Sequence, residues 1–100
     1  MALLDLLGRR WTMRLLWELR TGPLSSRKLR HAVDGLSPSV LQDRMDELRG
    51  SALVELRVGG YALTELGKDL LERILPLHAF AETWSAAQKA EKPLRDDPAP

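Results

Sequence analysis

The stretch from Leu36 to Gly67, LSPSVLQDRMDELRGSALVELRVGGYALTELG, constrains this chain more than any other. Ser37 followed by Pro38 is a helix opening, because a serine hydroxyl accepts from free N–H groups and proline suits the first helical position. Leu41, Met45 and Leu48 recur at helical spacing, which places one apolar stripe on a helix running to Gly50. Beyond it, Leu53 to Val58 predicts a strand, Gly59-Gly60 a two-residue turn, and Tyr61-Ala62-Leu63 the returning strand. Thr64-Glu65-Leu66-Gly67 then opens another helix.

Upstream, Ala2 to Leu7 predicts a short apolar helix ending near Gly8. A second helix is expected from Trp11 to Leu19, with Trp11, Leu15, Leu16 and Leu19 inward, stopped by Thr21-Gly22-Pro23. Leu24-Ser25 is expected as a short edge strand against the hairpin. Ser26 is expected to cap a helix from Arg27 to Val33, with Leu29 and either Ala32 or Val33 inward, and Asp34-Gly35 makes the turn before Ser37. Two helices joined by a glycine-containing turn, followed by a two-stranded hairpin, form a winged helix-turn-helix. The expected fold class is therefore mainly α with a small antiparallel β-hairpin, and the layout implies double-stranded DNA as partner.

One hundred residues at 44% hydrophobic suit a single modest core. One domain is expected over residues 1–92, with the tail 93–100, PLRDDPAP, disordered. Cysteine is absent, which removes disulfides, thiolate metal sites and thiol redox switches. No basic region precedes a long apolar run, so the expectation is a cytoplasmic protein away from membranes. The net charge of +1 alone argues against strong nucleic-acid affinity. Its distribution argues the other way. From Arg9 to Arg30, seven basic residues stand against Glu18 alone, a local +6 that leaves about −5 for the remainder. Solvated helix faces are the plainer account of such charges, and the helix after Ser37 is not itself basic, since Asp43, Asp46 and Glu47 offset Arg44 and Arg49.

The last helix, expected from about Glu65 to Lys89, is apolar on too many sides. Leu66, Leu70, Ile74, Leu77, Ala81 and Trp84 form one stripe, and Leu71, Leu75 and Phe80 widen it. A lone surface helix needs one apolar face. The excess predicts a homodimer, with Leu77, Phe80 and Trp84 meeting Leu3, Leu4 and Leu7, unless the wide stripe simply covers a small core. Pro76 is expected to kink or break this helix near Leu75.

These residues resemble the HxlR-type winged helix-turn-helix regulators, relatives of the MarR group. Leu6-Leu7-Gly8-Arg9-Arg10-Trp11-Thr12 resembles that family's opening L-[IL]-G-G-[KR]-W-[TS]. Gly22-Pro23-Leu24 with Leu29-Arg30 resembles its G-P-x-R-F-x-E-L-R stretch. Gly35-Leu36-Ser37-Pro38, Val40-Leu41, Arg44 and Glu47-Leu48 resemble G-I-S-x-[KR]-[VM]-L-x-x-[RQ]-L-R-E-L, and Tyr61 to Gly67 resembles Y-x-L-T-[ED]-x-G. The matches occur in order from about Leu3 to Trp84. The resemblance implies a homodimeric bacterial transcription regulator that dimerises through its terminal helices. It also implies the Ser37–Gly50 helix in the major groove of a pseudo-palindromic operator, and the wing at 53–63 near the minor groove. This wing is shorter than the family's, which leaves Arg57 as its best DNA contact. Ser39 stands where relatives carry Lys or Arg, and Asp43 where a neutral polar residue is common. Ser25-Ser26 replaces the family's Arg-Phe. The cysteine through which some relatives sense oxidants or aldehydes is missing.

With Leu41, Met45 and Leu48 inward, Ser39, Asp43 and Asp46 point outward, Val40, Arg44 and Glu47 lie on one flank, and Gln42 on the other. Gln42 suits adenine, Val40 a thymine methyl and Asp43 the cytosine amine. Arg27, Lys28 and Arg44 suit phosphates, as do the hydroxyls of Ser26 and Ser37, which otherwise serve as helix caps. Arg44 has an alternative in an intramolecular pair with Asp43, Glu47 or another nearby acid. His78 with Glu82 is no metal site, and no catalytic triad or phosphate-cradling loop is present, so neither cofactor nor enzymatic activity is expected. Trp11, Trp17 and Trp84 are read as core and interface, with a small aromatic effector as the alternative. The second functional reading is a winged-helix module that works through protein partners, which would require an exposed apolar patch beyond the dimer face.

Overall fold

The computed structural model describes residues 2–95, with side chains described through residue 90. Helix α1 (Ala2–Leu7) leads through a turn into α2 (Thr12–Glu18), which tightens into a 3-10 turn, Leu19–Thr21. Helices α3 (Ser26–Ala32) and α4 (Pro38–Gly50) follow, then the hairpin β1 (Val54–Arg57) and β2 (Gly60–Leu63), and finally α5 (Glu65–Arg95). Leu15 and Leu16 of α2, Leu29 of α3, and Leu41, Met45 and Leu48 of α4 converge in one core, closed by Leu53, Val54, Tyr61, Leu63 and Leu71. This is a winged helix-turn-helix. Among the described residues no helix is long and apolar enough to cross a membrane.

Several boundaries differ from the sequence expectation, each for a local reason. Ser25, not Ser26, caps α3: its Oγ accepts from the Lys28 N–H at 3.2 Å. Leu24 pairs with Tyr61 through two 2.9 Å backbone hydrogen bonds, which holds the chain extended through Ser25. The expected edge strand is thereby reduced to this single bridge. Trp11 does not belong to α2 but precedes it, in a left-handed conformation at φ 78°. Of the two residues offered as the inward partner of Leu29, Val33 is buried and Ala32 exposed.

Arg57 pairs with Gly60, so the hairpin turns on Val58-Gly59, one residue earlier than expected. Gly60 serves another need. It lies at φ 125° directly under the Leu24 bridge, where any Cβ would collide with the Leu24 carbonyl. Gly67 is required by similar crowding, because a Cβ there would strike the Leu53 carbonyl oxygen. Thr64 completes this joint. Its hydroxyl donates to the Ala52 carbonyl at 2.7 Å and accepts from the Gly67 N–H at 2.9 Å, capping α5.

Of the kink or break expected at Pro76, the break does not occur, since α5 continues through it. Pro76 is exposed, and it withholds only the hydrogen bond its missing N–H would have made one turn back. The helix is described as far as Arg95, and residues 96–100 of the expected tail lie outside the described residues. A helix of 31 residues gives the molecule a long axis of 56 Å against 27 and 26 Å for the others.

Candidate nucleic-acid interface

Helix α4 owes its amphipathic placement to its apolar stripe. Leu41, Met45 and Leu48 are at most 2% exposed, which turns Ser39, Gln42, Asp43 and Asp46 to solvent. Val40, Arg44 and Glu47 are half-buried on its flank. The Ser37 hydroxyl accepts from the Val40 N–H at 3.2 Å, so capping occupies it, with the Ser39 hydroxyl 3.4 Å away. Gln42 donates to Asp46 at 2.8 Å, an intrahelical pair that holds its amide one turn down the helix. At the far end α4 closes in a Schellman turn. The Leu53 N–H reaches the Leu48 carbonyl and the Ala52 N–H the Arg49 carbonyl, both at 3.0 Å, with Ala52 left-handed at φ 64°.

The basic N-terminal half divides into two groups. Arg9 pairs with Glu47 at 3.3 Å, and Arg14 binds Glu18 at 2.8 Å and the Ala32 carbonyl at 2.9 Å. Arg10 lies over the Trp11 ring, and Arg20 lies 3.8 Å from the Trp17 ring centroid while donating to the Trp17 carbonyl. These four arginines thus have intramolecular partners while remaining exposed to solvent. Arg27 and Lys28, in the first turn of α3, are exposed and have no ion pair among the described residues. They stand on the helix that packs against α4. In the wing, Arg57 is tied to Glu55 of its own strand, while Leu56 is 57% exposed and Val58 fully so.

Arg44 shows the intramolecular alternative. Its Nη1 donates to Glu47 at 2.9 Å and its Nε to the Arg10 carbonyl at 3.1 Å, and its side chain is only 15% exposed. The acid is a partner the local sequence offers, whereas the Arg10 carbonyl lies 34 residues away and has no local signal. The expected dimer residues occupy two elements. Leu3, Leu4, Leu77, Phe80 and Trp84 are exposed, Leu4 at 61% and Leu77 at 60%, whereas Leu7 is half-buried against the core. His78 meets Trp17, their ring centroids 6.2 Å apart, instead of joining Glu82. Trp11 packs beside Gly35, so these two tryptophans serve different neighbourhoods.

The profile of the HxlR-like helix-turn-helix family matches residues 6–89. The chain belongs to that family. A helix-turn-helix-type transcriptional regulator of Methanocaldococcus jannaschii is 27% identical over 92 residues, covering 88% of this chain and 87% of its own. Among solved structures, a possible HxlR family transcriptional factor from Thermoplasma volcanium is 32% identical with a TM-score of 0.75, over 83% of this chain and 81% of its own. The quinone-bound YodB of B. subtilis is 29% identical with a TM-score of 0.77, over 82% of this chain and 93% of its own. This member of the HxlR-like family is a DNA-binding transcriptional regulator.

Proposed function

We propose that this HxlR-like protein acts as a cytoplasmic homodimer that inserts α4 into the major groove of a pseudo-palindromic operator and works by binding, without catalysis. The observation that carries this reading is the solvent face of α4, Ser39, Gln42, Asp43 and Asp46, standing beside the exposed cations Arg27 and Lys28 on α3. Side chains near a recognition helix's N-terminus reach base edges, and cations on the preceding helix reach phosphate. Ser39, Val40, Gln42 and Asp43 read bases in this arrangement, while Arg27 and Lys28, with the Ser26 hydroxyl, hold the backbone. Arg57 sits where the wing meets the flanking groove. Dimerisation joins α1 to α5 across the two-fold axis, through Leu3, Leu4, Leu7, Leu77, Phe80 and Trp84.

The test is fluorescence anisotropy on duplex DNA from the gene's own upstream region, beside a scrambled duplex, over a salt series. Preference for the upstream duplex, with affinity falling steeply as salt rises, is the expected result. Arg27→Ala should weaken binding to both duplexes and reduce the slope of log affinity against log salt by about one. Weak, equal binding that hardly responds to salt would favour the partner-binding reading, for which exposed Leu56 and Val58 of the wing offer the apolar surface.

A further inference from the structure

Beside the DNA-facing surface lies a three-residue charge cluster that membership in the family does not assign. Glu47, in the third turn of α4, divides its carboxylate between two arginines: Oε1 accepts from Arg44 of the same helix at 2.9 Å, and Oε2 meets Arg9 at 3.3 Å. Arg44 then spans to the α1–α2 connection by donating its Nε to the Arg10 carbonyl. That connection is strained, because Trp11 is a bulky residue held at φ 78°, a conformation that persists only where surrounding contacts impose it. The contacts are visible. The Arg10 guanidinium covers the Trp11 ring at 4.6 Å, and the ring's far edge lies against Gly35 in the turn that leads into α4. The connection between α1 and α2 therefore touches the helix-turn-helix unit at two places, the turn before α4 and the middle of α4.

We propose that Arg9, Glu47 and Arg44 form a latch that positions the recognition helix relative to the N-terminal arm, with Arg44 and Glu47 acting as positioning residues and not as DNA contacts. The inference rests on the DNA-binding reading above and deepens it. If α1 is part of the dimer interface, the latch transmits the placement of the arm to α4, and hence sets the separation of the two recognition helices in the dimer. Arg44 is the central member: it is the least exposed of the three and bonds to both sides of the joint. Its planar fork suits two simultaneous acceptors in a way lysine does not.

Glu47→Gln separates the possibilities by sign. Removing an acid from a helix that faces phosphate should raise DNA affinity on electrostatics alone. The latch requires the reverse, a loss of about tenfold on the operator duplex. Arg44→Met should give a similar loss with the salt slope unchanged; a slope shallower by about one would overturn the proposal by assigning Arg44 to a phosphate. A Glu47→Gln protein that binds as well as or better than the parent would overturn it equally. Hydrogen exchange provides a readout independent of DNA. The Gly8, Arg9 and Thr12 amides, which bond to the Leu4, Leu6 and Arg9 carbonyls, should exchange faster in both variants while those of Leu41, Met45 and Leu48 stay protected. Unchanged exchange at the joint overturns the latch. Arg44→Lys, which keeps the charge but loses the fork, replaces Arg44→Met if the latter does not fold. A parent protein that fails to prefer the operator counts against the functional reading, and the exchange result then judges the latch alone.

Discussion

Helix α4 and the stretch of α5 beyond Leu71 each carry a run of large apolar side chains, and the fold treats them in opposite ways. In α4, Leu41, Met45 and Leu48 are buried by α2, α3 and the hairpin, leaving a polar outer face. In α5, burial fades after Leu71: Ile74 is half-buried, and Leu75, Leu77, Phe80 and Trp84 are exposed, the last at 56%. This exposed row is the face that the proposed dimer would cover. The helix-turn-helix unit buries its apolar stripe within one chain, whereas the terminal helices leave part of theirs exposed. The same division separates the arginines, since Arg44 is closed into the molecule and Arg27 faces outward.

The strongest way to break the self-sufficient half is at its tightest contact. Gly67→Ala drives a Cβ into the Leu53 carbonyl where the hairpin meets α5. A loss on the order of 4 kcal/mol is expected, most of the stability of a small domain, measured by urea denaturation. Leu48→Ala, which opens a cavity at a fully buried site, should cost about 3 kcal/mol in the same measurement. Leu77→Ala sharpens the contrast: the same deletion at a residue 60% exposed should cost a monomer less than about 0.5 kcal/mol. Phe80→Glu carries the comparison to assembly. It should shift the protein from dimer to monomer in sedimentation velocity and remove the dependence of the melting temperature on concentration. The one stabilising change belongs to the left-handed end of α4. Ala52→Gly relieves the φ 64° conformation and should raise stability by about 0.5 kcal/mol, since the strain removed slightly exceeds the flexibility added to the unfolded chain.

Legibility in the sequence followed the range of the interaction. Ser37-Pro38 announced α4 because a cap and a proline act on their own helix end, and the hydroxyl does accept from Val40. The stripe of Leu41, Met45 and Leu48 announced the buried face, and with it the exposure of Ser39, Gln42, Asp43 and Asp46. The same local logic misplaced the cap of α3, where two adjacent serines qualify and the Leu24–Tyr61 pairing selects the first. It placed the turn of the wing one residue late, because Gly60 answers to Leu24 across the sheet and not to the turn. It allowed a break at Pro76, where the helix continues.

What the amino-acid sequence determined by itself was the order of elements, the inward face of α4 and the family pattern. The first two rest on residues within a turn or two of one another, and the last on short motifs that occur in order along the chain. Tertiary structure alone decided which arginines remain available. Arg44 is closed in by Glu47 and by the carbonyl of Arg10, Arg9 pairs with Glu47 while staying exposed, and Arg27 is exposed with no ion pair among the described residues. A guanidinium carries the same charge wherever it lies, and only the fold brings a carboxylate and a distant carbonyl within hydrogen-bonding reach of it.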